Sequence, residues 1–167
     1  MTDSDQGQAS GSAALYTPEQ RRRRDASGWT LVQGVLAPAQ FLLFLISLAL
    51  VCRFLTTGND AWAADLSIVA KTLALYAIMV TGAIWEKVVF GRYLFAPVFF
   101  WEDMFSMVVI ALHTAYLVLL IGGLGSPETR MLVALAGYLA YLVNAGQFLL
   151  KLRAARLAPA QGLAVSA

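Results

Sequence analysis

The sequence predicts an all-α integral membrane protein, a bundle of four transmembrane helices with both termini in the cytoplasm. The first observation is composition: the 167 residues are 59% apolar and 13% charged. Their mean hydropathy of +0.68 is too high for an ordinary soluble domain. The second is length, because four apolar runs of about 20 residues can each cross the hydrocarbon layer. The third is the distribution of lysine and arginine, most of which lie on one side of this topology.

The chain begins with a polar segment and then enters its first span. Residues 1–24 are small and polar and end in a block of four arginines. With so little apolar surface they are expected to be disordered. Residues 31–52 carry no charge and would form about 33 Å of helix, too long for a cleaved signal peptide. Within this span Gln33, Gln40 and Ser47 recur every seven residues and are expected to face neighbouring helices.

Three further spans follow, separated by short connections. The second contains one charge, Lys71, near its first loop, so this long side chain is expected to reach the membrane surface. All four spans form one membrane domain, residues 25–156, and residues 157–167 are expected to be a flexible tail. The second, third and fourth spans cover residues 66–85, about 104–124, and 131–150.

Four spans place both ends of the chain on the same side of the membrane. That side receives nine of the 12 lysine and arginine residues, the opposite side receives two, and Lys71 lies within a span. Because cytoplasmic loops carry the excess of positive charge, both termini and the connection between the second and third spans are predicted to be cytoplasmic. The two halves show no internal repeat, so a transporter built by inverted duplication is not supported.

Residues 81–107, where the second span meets the third, hold the most distinctive pattern in the chain. Eight of the 19 aromatic side chains and five charged ones lie within it. This combination is typical of a membrane–water boundary, but it would equally suit a flat apolar ligand held beside acid–base groups. The aromatic residues are Trp85, Phe90, Tyr93, Phe95, Phe99, Phe100, Trp101 and Phe105, and the charged residues are Glu86, Lys87, Arg92, Glu102 and Asp103.

Three carboxyl groups, those of Glu86, Glu102 and Asp103, are predicted to lie at one depth. The short connection should make the ends of the second and third spans neighbours. Glu102 and His113 fall on one helical stripe, whereas Asp103 is turned away by about 100°. We therefore group Glu102 with His113. His113 would lie about 15 Å deeper than Asp103, near the midplane, where an ionisable side chain favours a functional role.

Several kinds of chemistry are excluded by what the sequence lacks. It has no glycine-rich phosphate loop, no dinucleotide-binding fingerprint and no histidine–cysteine metal cluster. Its basic residues form no stripe for nucleic acid, and one histidine cannot supply the paired ligands of a membrane di-haem site. A single cysteine, Cys52, excludes an internal disulfide. Acid–base chemistry by carboxyl groups and one imidazole, on an apolar substrate reachable from the bilayer, remains.

Three stretches of the chain, residues 29–55, 70–117 and 137–156, resemble the 3-vinyl (bacterio)chlorophyllide hydratase family. The resemblance covers about residues 20–156, and its most specific part is the run WEKVVFGRYLFAPVFFWEDMFS that begins at Trp85. It implies a lyase of bacteriochlorophyll biosynthesis that adds water to the C3-vinyl group of chlorophyllide a or a bacteriochlorophyllide. The product would be the 3-(1-hydroxyethyl) pigment, and no cofactor would be needed. The implied location is a bacterial inner membrane, either the cytoplasmic or the intracytoplasmic photosynthetic membrane.

The candidate catalytic residues fit this reaction. A proton is added first to the terminal vinyl carbon, the conjugated ring spreads the positive charge, and water attacks the inner carbon. The enzyme therefore needs a general acid, a base and negative charge beside the cation. Because a carboxyl group in apolar surroundings retains its proton more readily than in water, Glu102 and Glu86 are the candidate acids. Asp103, nearer to water, would orient or deprotonate the nucleophile.

The pigment itself would be bound by the aromatic connection. Arg92 or Lys87 would pair with its propionate carboxylate. His113 has two alternative roles, proton relay to Glu102 or ligand to the magnesium of the substrate, and the shared stripe favours the relay. The chain supplies no metal site of its own. The aromatic residues proposed to contact the macrocycle are Trp85, Phe99, Trp101 and Phe105.

Other interpretations of the same residues remain open at this point. A pigment carrier or photosynthetic-complex assembly factor would use the aromatic platform without any reaction. A small transporter is less favoured, because the carboxylates lie at span ends. Independently of function, Lys87 and Arg92 could be solvated boundary charges, and His113 could form a hydrogen bond between helices. Whether the protein forms homo-oligomers or associates with other pigment-synthesis enzymes is left open.

Overall fold

The computed structural model describes residues 15–157, and in this part of the chain all regular secondary structure is helical. Four of the helices are long and apolar enough to cross a membrane. The predicted all-α fold with four apolar helices of spanning length is therefore confirmed. The helices are α1 (Pro18–Ala26), α2 (Gly28–Thr57), α3 (Ala61–Phe90), α4 (Phe100–Ile121) and α5 (Pro127–Leu157).

The helices extend beyond the apolar runs from which they were predicted. Helices α2 and α3 each have 30 residues, because charged and polar turns continue them past the apolar core. Gly58 ends α2 with φ 70° and Gly91 ends α3 with φ 82°, a left-handed conformation in which glycine has no steric cost. Pro38 lies inside α2 without ending it, as spans that pack against neighbours allow.

Helix α1 corrects part of the predicted disorder. Residues 18–24 are helical, because Thr17 and Gln20 form a reciprocal capping box and Pro18 occupies the first turn. Tyr16, just before α1, is only 7% exposed and stacks on Phe90 of α3. This capping signal is present in the sequence, but the polar composition of residues 1–24 favours the prediction of disorder. The other residues of the predicted tails, 1–14 and 158–167, lie outside the described part of the chain.

The bundle consists of two helical hairpins. Helix α2 packs along α3 and α4 packs along α5, and the hairpins meet through α3 with α4 and α2 with α5. Most apolar side chains of the spans face outwards, as lipid-facing surfaces do; Leu31 and Ile121 are 72% and 84% exposed. One core cluster lies inside the spans around Phe44 and Tyr138. A second, around Val89 and Phe99, closes the bundle where α3 ends and α4 begins.

Candidate active site at the aromatic end of the bundle

The connection between α3 and α4 directs two backbone amides at two buried carboxyl groups. The N–H of Phe95 donates to Asp103 Oδ2 at 2.7 Å, and the N–H of Ala96 donates to Glu86 Oε2 at 3.3 Å. Phe95 reaches this position with φ 59°, a left-handed conformation that is strained for a bulky side chain. The loop therefore holds an unfavourable backbone geometry in which its donors point at the carboxyl groups.

Glu86 and Asp103 form a carboxyl pair across the α3–α4 interface. Their residues are 5% and 4% exposed, and the two carboxyl groups lie within electrostatic range of each other. Two carboxyl groups buried side by side do not readily both ionise, because burial disfavours charge and like charges repel, so one of them keeps its proton. The pair consequently combines a proton donor and a carboxylate in one buried site.

Glu102 has a different partner, a lysine that the sequence did not connect with it. Lys151 of α5 places its Nζ 2.6 Å from Glu102 Oε1 and 2.7 Å from Oε2. The same ammonium donates to the carbonyl of Val98 and lies 5.1 Å from the centroid of the Phe99 ring. Glu102 is therefore engaged in an ion pair, whereas Glu86 and Asp103 accept hydrogen bonds from backbone N–H groups.

The three predicted carboxyl groups are thus brought to the same end of the bundle. Glu102 and Lys151 lie within electrostatic range of Asp103. The Glu86–Asp103 pair and the Glu102–Lys151 ion pair therefore form one cluster. The distribution of positive charge already put Lys151 on the same side of the membrane as Glu102. The sequence does not show that α5 packs against the start of α4, so it could not identify Lys151 as the partner of Glu102.

The grouping of Glu102 with His113 is not seen. The two residues share a helix stripe, but eleven residues of α4 separate them by about 16 Å. Ser106, between them, accepts a hydrogen bond from Asn144 at 2.8 Å instead of linking them. His113 is 1% exposed, its Nδ1 lies 2.8 Å from the carbonyl of Val109, and its Nε2 has no hydrogen-bond partner in the described part of the chain.

The predicted aromatic platform is divided between the interior and the surface. Trp85 and Phe99 pack edge to face, 5.9 Å apart, and Trp85 Nε1 donates to Thr30 Oγ1 at 3.0 Å. Phe105 is half-buried. Trp101, in contrast, is 67% exposed, because two residues along α4 turn it away from Phe99.

The two cations proposed for the propionate group also differ. Lys87 donates to the carbonyl of Gly91 at 3.0 Å and lies 5.2 Å from the ring centroid of Tyr93. It therefore stabilises the end of its own helix. Arg92 is exposed in the connection, beside the carboxyl cluster in the sequence.

A second polar cluster lies deeper in the bundle, around Lys71. This residue is 0% exposed, so the expectation that it reaches the membrane surface is wrong. Its Nζ donates to Gln40 Oε1 at 3.2 Å, and Ser47 Oγ lies 2.5 Å from Tyr138 Oη. Gln33 donates to Thr81 at 2.7 Å. The prediction that Gln33, Gln40 and Ser47 face neighbouring helices is therefore confirmed.

Fold and site together define an all-helical protein with four helices of membrane-spanning length and buried acid–base groups at one end of its bundle. The model of the 2-vinyl bacteriochlorophyllide hydratase family matches residues 16–154. The chain is 66% identical over 145 residues to the 2-vinyl bacteriochlorophyllide hydratase of Rhodobacter capsulatus, covering 86% of this chain and 84% of that protein. It is 66% identical over 144 residues to the protein of the same name from Cereibacter sphaeroides, covering 86% and 89%. No solved structure matches.

The chain belongs to the 2-vinyl bacteriochlorophyllide hydratase family. The resemblance seen in the sequence is confirmed over most of its length. The 2-vinyl group of the family description and the C3-vinyl group named above are the same substituent in two tetrapyrrole numbering schemes.

Proposed function

We propose that this protein is a hydro-lyase that adds water to the vinyl group of a bacteriochlorophyllide or chlorophyllide pigment. The observation that carries the proposal is the identity of 66% with two hydratases across most of the chain. The carboxyl pair of Glu86 and Asp103 supports it independently, because hydration of an alkene needs one group that gives a proton and one that accepts it.

In the first step the protonated member of the pair transfers its proton to the terminal vinyl carbon. The C=C π electrons form the new C–H bond, and the positive charge is left on the inner carbon, conjugated with the macrocycle. Both carboxyl groups are then anionic, and their charge stabilises the cation. The backbone N–H groups of Phe95 and Ala96, at 2.7 and 3.3 Å from the two carboxyl oxygens, offset the repulsion between them.

In the second step a water molecule attacks the inner carbon through its oxygen lone pair. Its surplus proton passes to the carboxylate pair, which returns to its starting state with one proton. Atoms and charge balance without a redox partner, because the product is the vinyl pigment plus one water. Asp103 is the candidate base and Glu86 the candidate acid, since a carboxyl group accepting a single weak amide bond keeps its proton more readily.

Glu102 and Lys151 have a supporting role in this mechanism. The ion pair fixes one negative charge beside the reacting groups and joins α4 to α5. Glu102 is therefore a positioning and electrostatic residue, and the acid is assigned to the pair. His113, about 16 Å away along α4, takes no part in either step.

The pigment is proposed to lie at the membrane boundary beside the α3–α4 connection. Trp101 and Phe100 offer exposed rings, 67% and 43% accessible, and Phe105 is half-buried next to them. Arg92 is the proposed partner of the propionate carboxylate. Trp85 and Phe99 would form the packed layer beneath and contact the pigment only at its edge.

The proposed orientation gives the site access to water, the second substrate. It has the site at the cytoplasmic face, and the excess of lysine and arginine on the side of both termini supports this orientation. The proposed membrane is the bacterial inner membrane, cytoplasmic or intracytoplasmic.

The test is expression in a bacterial host that lacks this pathway, with chlorophyllide a or the 3-vinyl bacteriochlorophyllide added to its membranes. Chromatography should show conversion to the 1-hydroxyethyl pigment, heavier by one water. Incorporation of ¹⁸O from labelled water would assign the source of the oxygen. Membranes that bind the pigment without converting it would instead support a carrier or assembly factor and contradict the proposal.

A further inference from the structure

Two buried amide oxygens of α5 have no hydrogen-bond donor within the described residues. They are Asn144 Oδ1 and Gln147 Oε1. Buried polar atoms in proteins are nearly always hydrogen-bonded, so an oxygen without a protein donor indicates an ordered water or a ligand. The mechanism proposed above gives neither side chain a role.

Two contacts between α4 and α5 define where these oxygens lie. Asn144 Nδ2 donates to Ser106 Oγ at 2.8 Å, and Lys151 Nζ lies 2.6 Å from Glu102 Oε1. Gln147 comes between these contacts on α5, three residues after Asn144 and four before Lys151. Residues three and four apart share one side of a helix. Both amides therefore belong to the polar row that ends at the Glu102–Lys151 ion pair.

This polar row lies at the end of the bundle where the proposed reaction takes place. Ser106 follows Asp103 by three residues on α4, a rise of about 4.5 Å. Phe105, next to Ser106 in the chain, is one of the proposed pigment contacts. The Asn144 amide, bonded to Ser106, is therefore about one helical turn from the carboxyl pair that receives the surplus proton.

The chemistry of the two oxygens favours water as their ligand. An amide oxygen only accepts hydrogen bonds, so the ligand has to donate. The vinyl group and an ionised propionate of the pigment offer no donor, whereas water offers two O–H bonds. A cation, which amide oxygens also bind, is disfavoured beside the Lys151 ammonium. An acceptor holds water by its hydrogen and leaves a lone pair of the water oxygen free, as a nucleophile requires.

We propose that Asn144 and Gln147 hold the water that attacks the pigment, an inference that rests on the proposed hydration. The water donates one O–H to an amide oxygen, and a lone pair of its oxygen forms the C–O bond to the cationic inner carbon. The surplus proton leaves through the second O–H to the carboxylate pair. Neutral amides do not take this proton, so the pair remains the base. Holding the water at the cation favours its capture over competing reactions.

The test compares two fates of the carbocation. It is either captured by water or loses a proton from its new methyl group and returns to the vinyl pigment. In D₂O that return leaves deuterium on the terminal vinyl carbon, because this carbon has received a deuteron and can lose a protium instead. Mass spectrometry of the recovered vinyl pigment measures return, and chromatography of the 1-hydroxyethyl pigment measures capture. Both are followed with the full-length protein in membranes at low conversion, before product reverts.

Gln147→Met removes one acceptor and keeps the length of the side chain. The ratio of deuterium exchange to hydration should rise about fivefold, the order expected for the loss of one hydrogen bond between neutral groups. Asn144→Leu should raise the same ratio. Gln33→Met is the matched control, because it removes a glutamine that bonds Thr81 of α3 and lies outside the α4–α5 interface. It should leave the ratio at the wild-type value.

A purely structural role for these amides predicts a different result. Damage to the fold would slow exchange and hydration together, so an unchanged ratio in Gln147→Met would overturn the inference. If Gln147→Met fails to fold, the ratio in Asn144→Leu decides by the same criterion. Wild-type membranes that form no 1-hydroxyethyl pigment would contradict the proposed function and this inference with it. Wild-type hydration with unchanged ratios in the variants would contradict the inference alone.

Discussion

The two polar clusters of this bundle bury ionisable groups in different ways. At the aromatic end, the carboxyl pair accepts two hydrogen bonds from backbone N–H groups of the α3–α4 connection, and Glu102 forms an ion pair with Lys151. In the middle of the spans, Lys71 donates one hydrogen bond to a side-chain carbonyl and lies against aromatic faces. The difference is geometric, because helix ends and loops have free backbone groups, whereas those inside a helix are already bonded. Buried charge in mid-span therefore depends on side chains alone.

The largest effect is expected from removing the transferable proton at the aromatic end. Glu86→Gln keeps the shape of the side chain but removes its acid–base function. Hydration should slow by about 10²- to 10⁴-fold, the usual contribution of a positioned acid or base. Chromatography of the 1-hydroxyethyl pigment in membranes with matched protein content provides the measurement.

Glu128→Gln is the matched control for that variant. Glu128 is exposed at the opposite end of the bundle, so its substitution should leave the rate within twofold of wild type. If Glu86→Gln turned over pigment as fast as Glu128→Gln, the carboxyl pair would not be the acid, and the contrast between the clusters would lose its functional meaning.

The second effect concerns stability at the same end. Lys151→Met should leave the Glu102 carboxylate buried without its cation. We expect a loss of about 2 kcal/mol in the free energy of unfolding, less than the full cost of breaking a buried pair because the Lys151 side chain is 26% exposed. Thermal unfolding in detergent would show it as a lower midpoint.

The double variant Lys151→Met with Glu102→Gln separates the two explanations. It removes the stranded charge and should recover most of the lost stability. A midpoint as low as that of Lys151→Met alone would mean that lysine packing against Phe99, and not charge, supports this end of the bundle.

The third prediction tests the tight packing around the mid-span cluster. Gly137→Ala places a methyl group 2.9 Å from His113 Cε1 and 3.0 Å from Nδ1, so the buried ring must move. The expected loss is about 1–2 kcal/mol, in the range for overpacked cores. Gly146→Ala on the same helix meets nothing within 4 Å and should be neutral or slightly stabilising. Equal unfolding midpoints for both variants would contradict the close contact.

The smallest effect is expected for a neutral hydrogen bond in mid-span. Ser47→Ala removes the contacts of this hydroxyl with Ser67 and Tyr138, at 2.7 and 2.5 Å. Such bonds between membrane helices contribute about 0.6 kcal/mol on average, so the unfolding midpoint should fall only slightly. A loss as large as that of Lys151→Met would show that mid-span polar contacts are as important as those at the end.

The sequence predicted the spans and the meeting of three carboxyl groups, because hydropathy and a short connection determine both. It could not predict that Glu102 would pair with Lys151, since that contact joins residues far apart in the chain. The sequence misplaced Lys71, because the length of a lysine side chain near the end of a span predicts that it reaches water. The direction in which the side chain points depends on the neighbouring helices, which the sequence does not show. The helix stripe that linked Glu102 to His113 was correct in angle, but the rise of about 16 Å along the axis keeps the two side chains apart. The predicted aromatic platform divided because Trp101 lies two positions beyond Phe99, about 200° around the helix.

The strained backbone at Phe95 has a consequence for the timing of the reaction. Its left-handed conformation is retained while its N–H donates to Asp103, and an anionic acceptor strengthens that bond more than a neutral one. In the proposed mechanism Asp103 changes charge only when it takes the surplus proton of the attacking water, so its bond to the N–H of Phe95 would weaken at that step. Loosening of the 92–97 segment would then follow the quenching of the carbocation and not precede it.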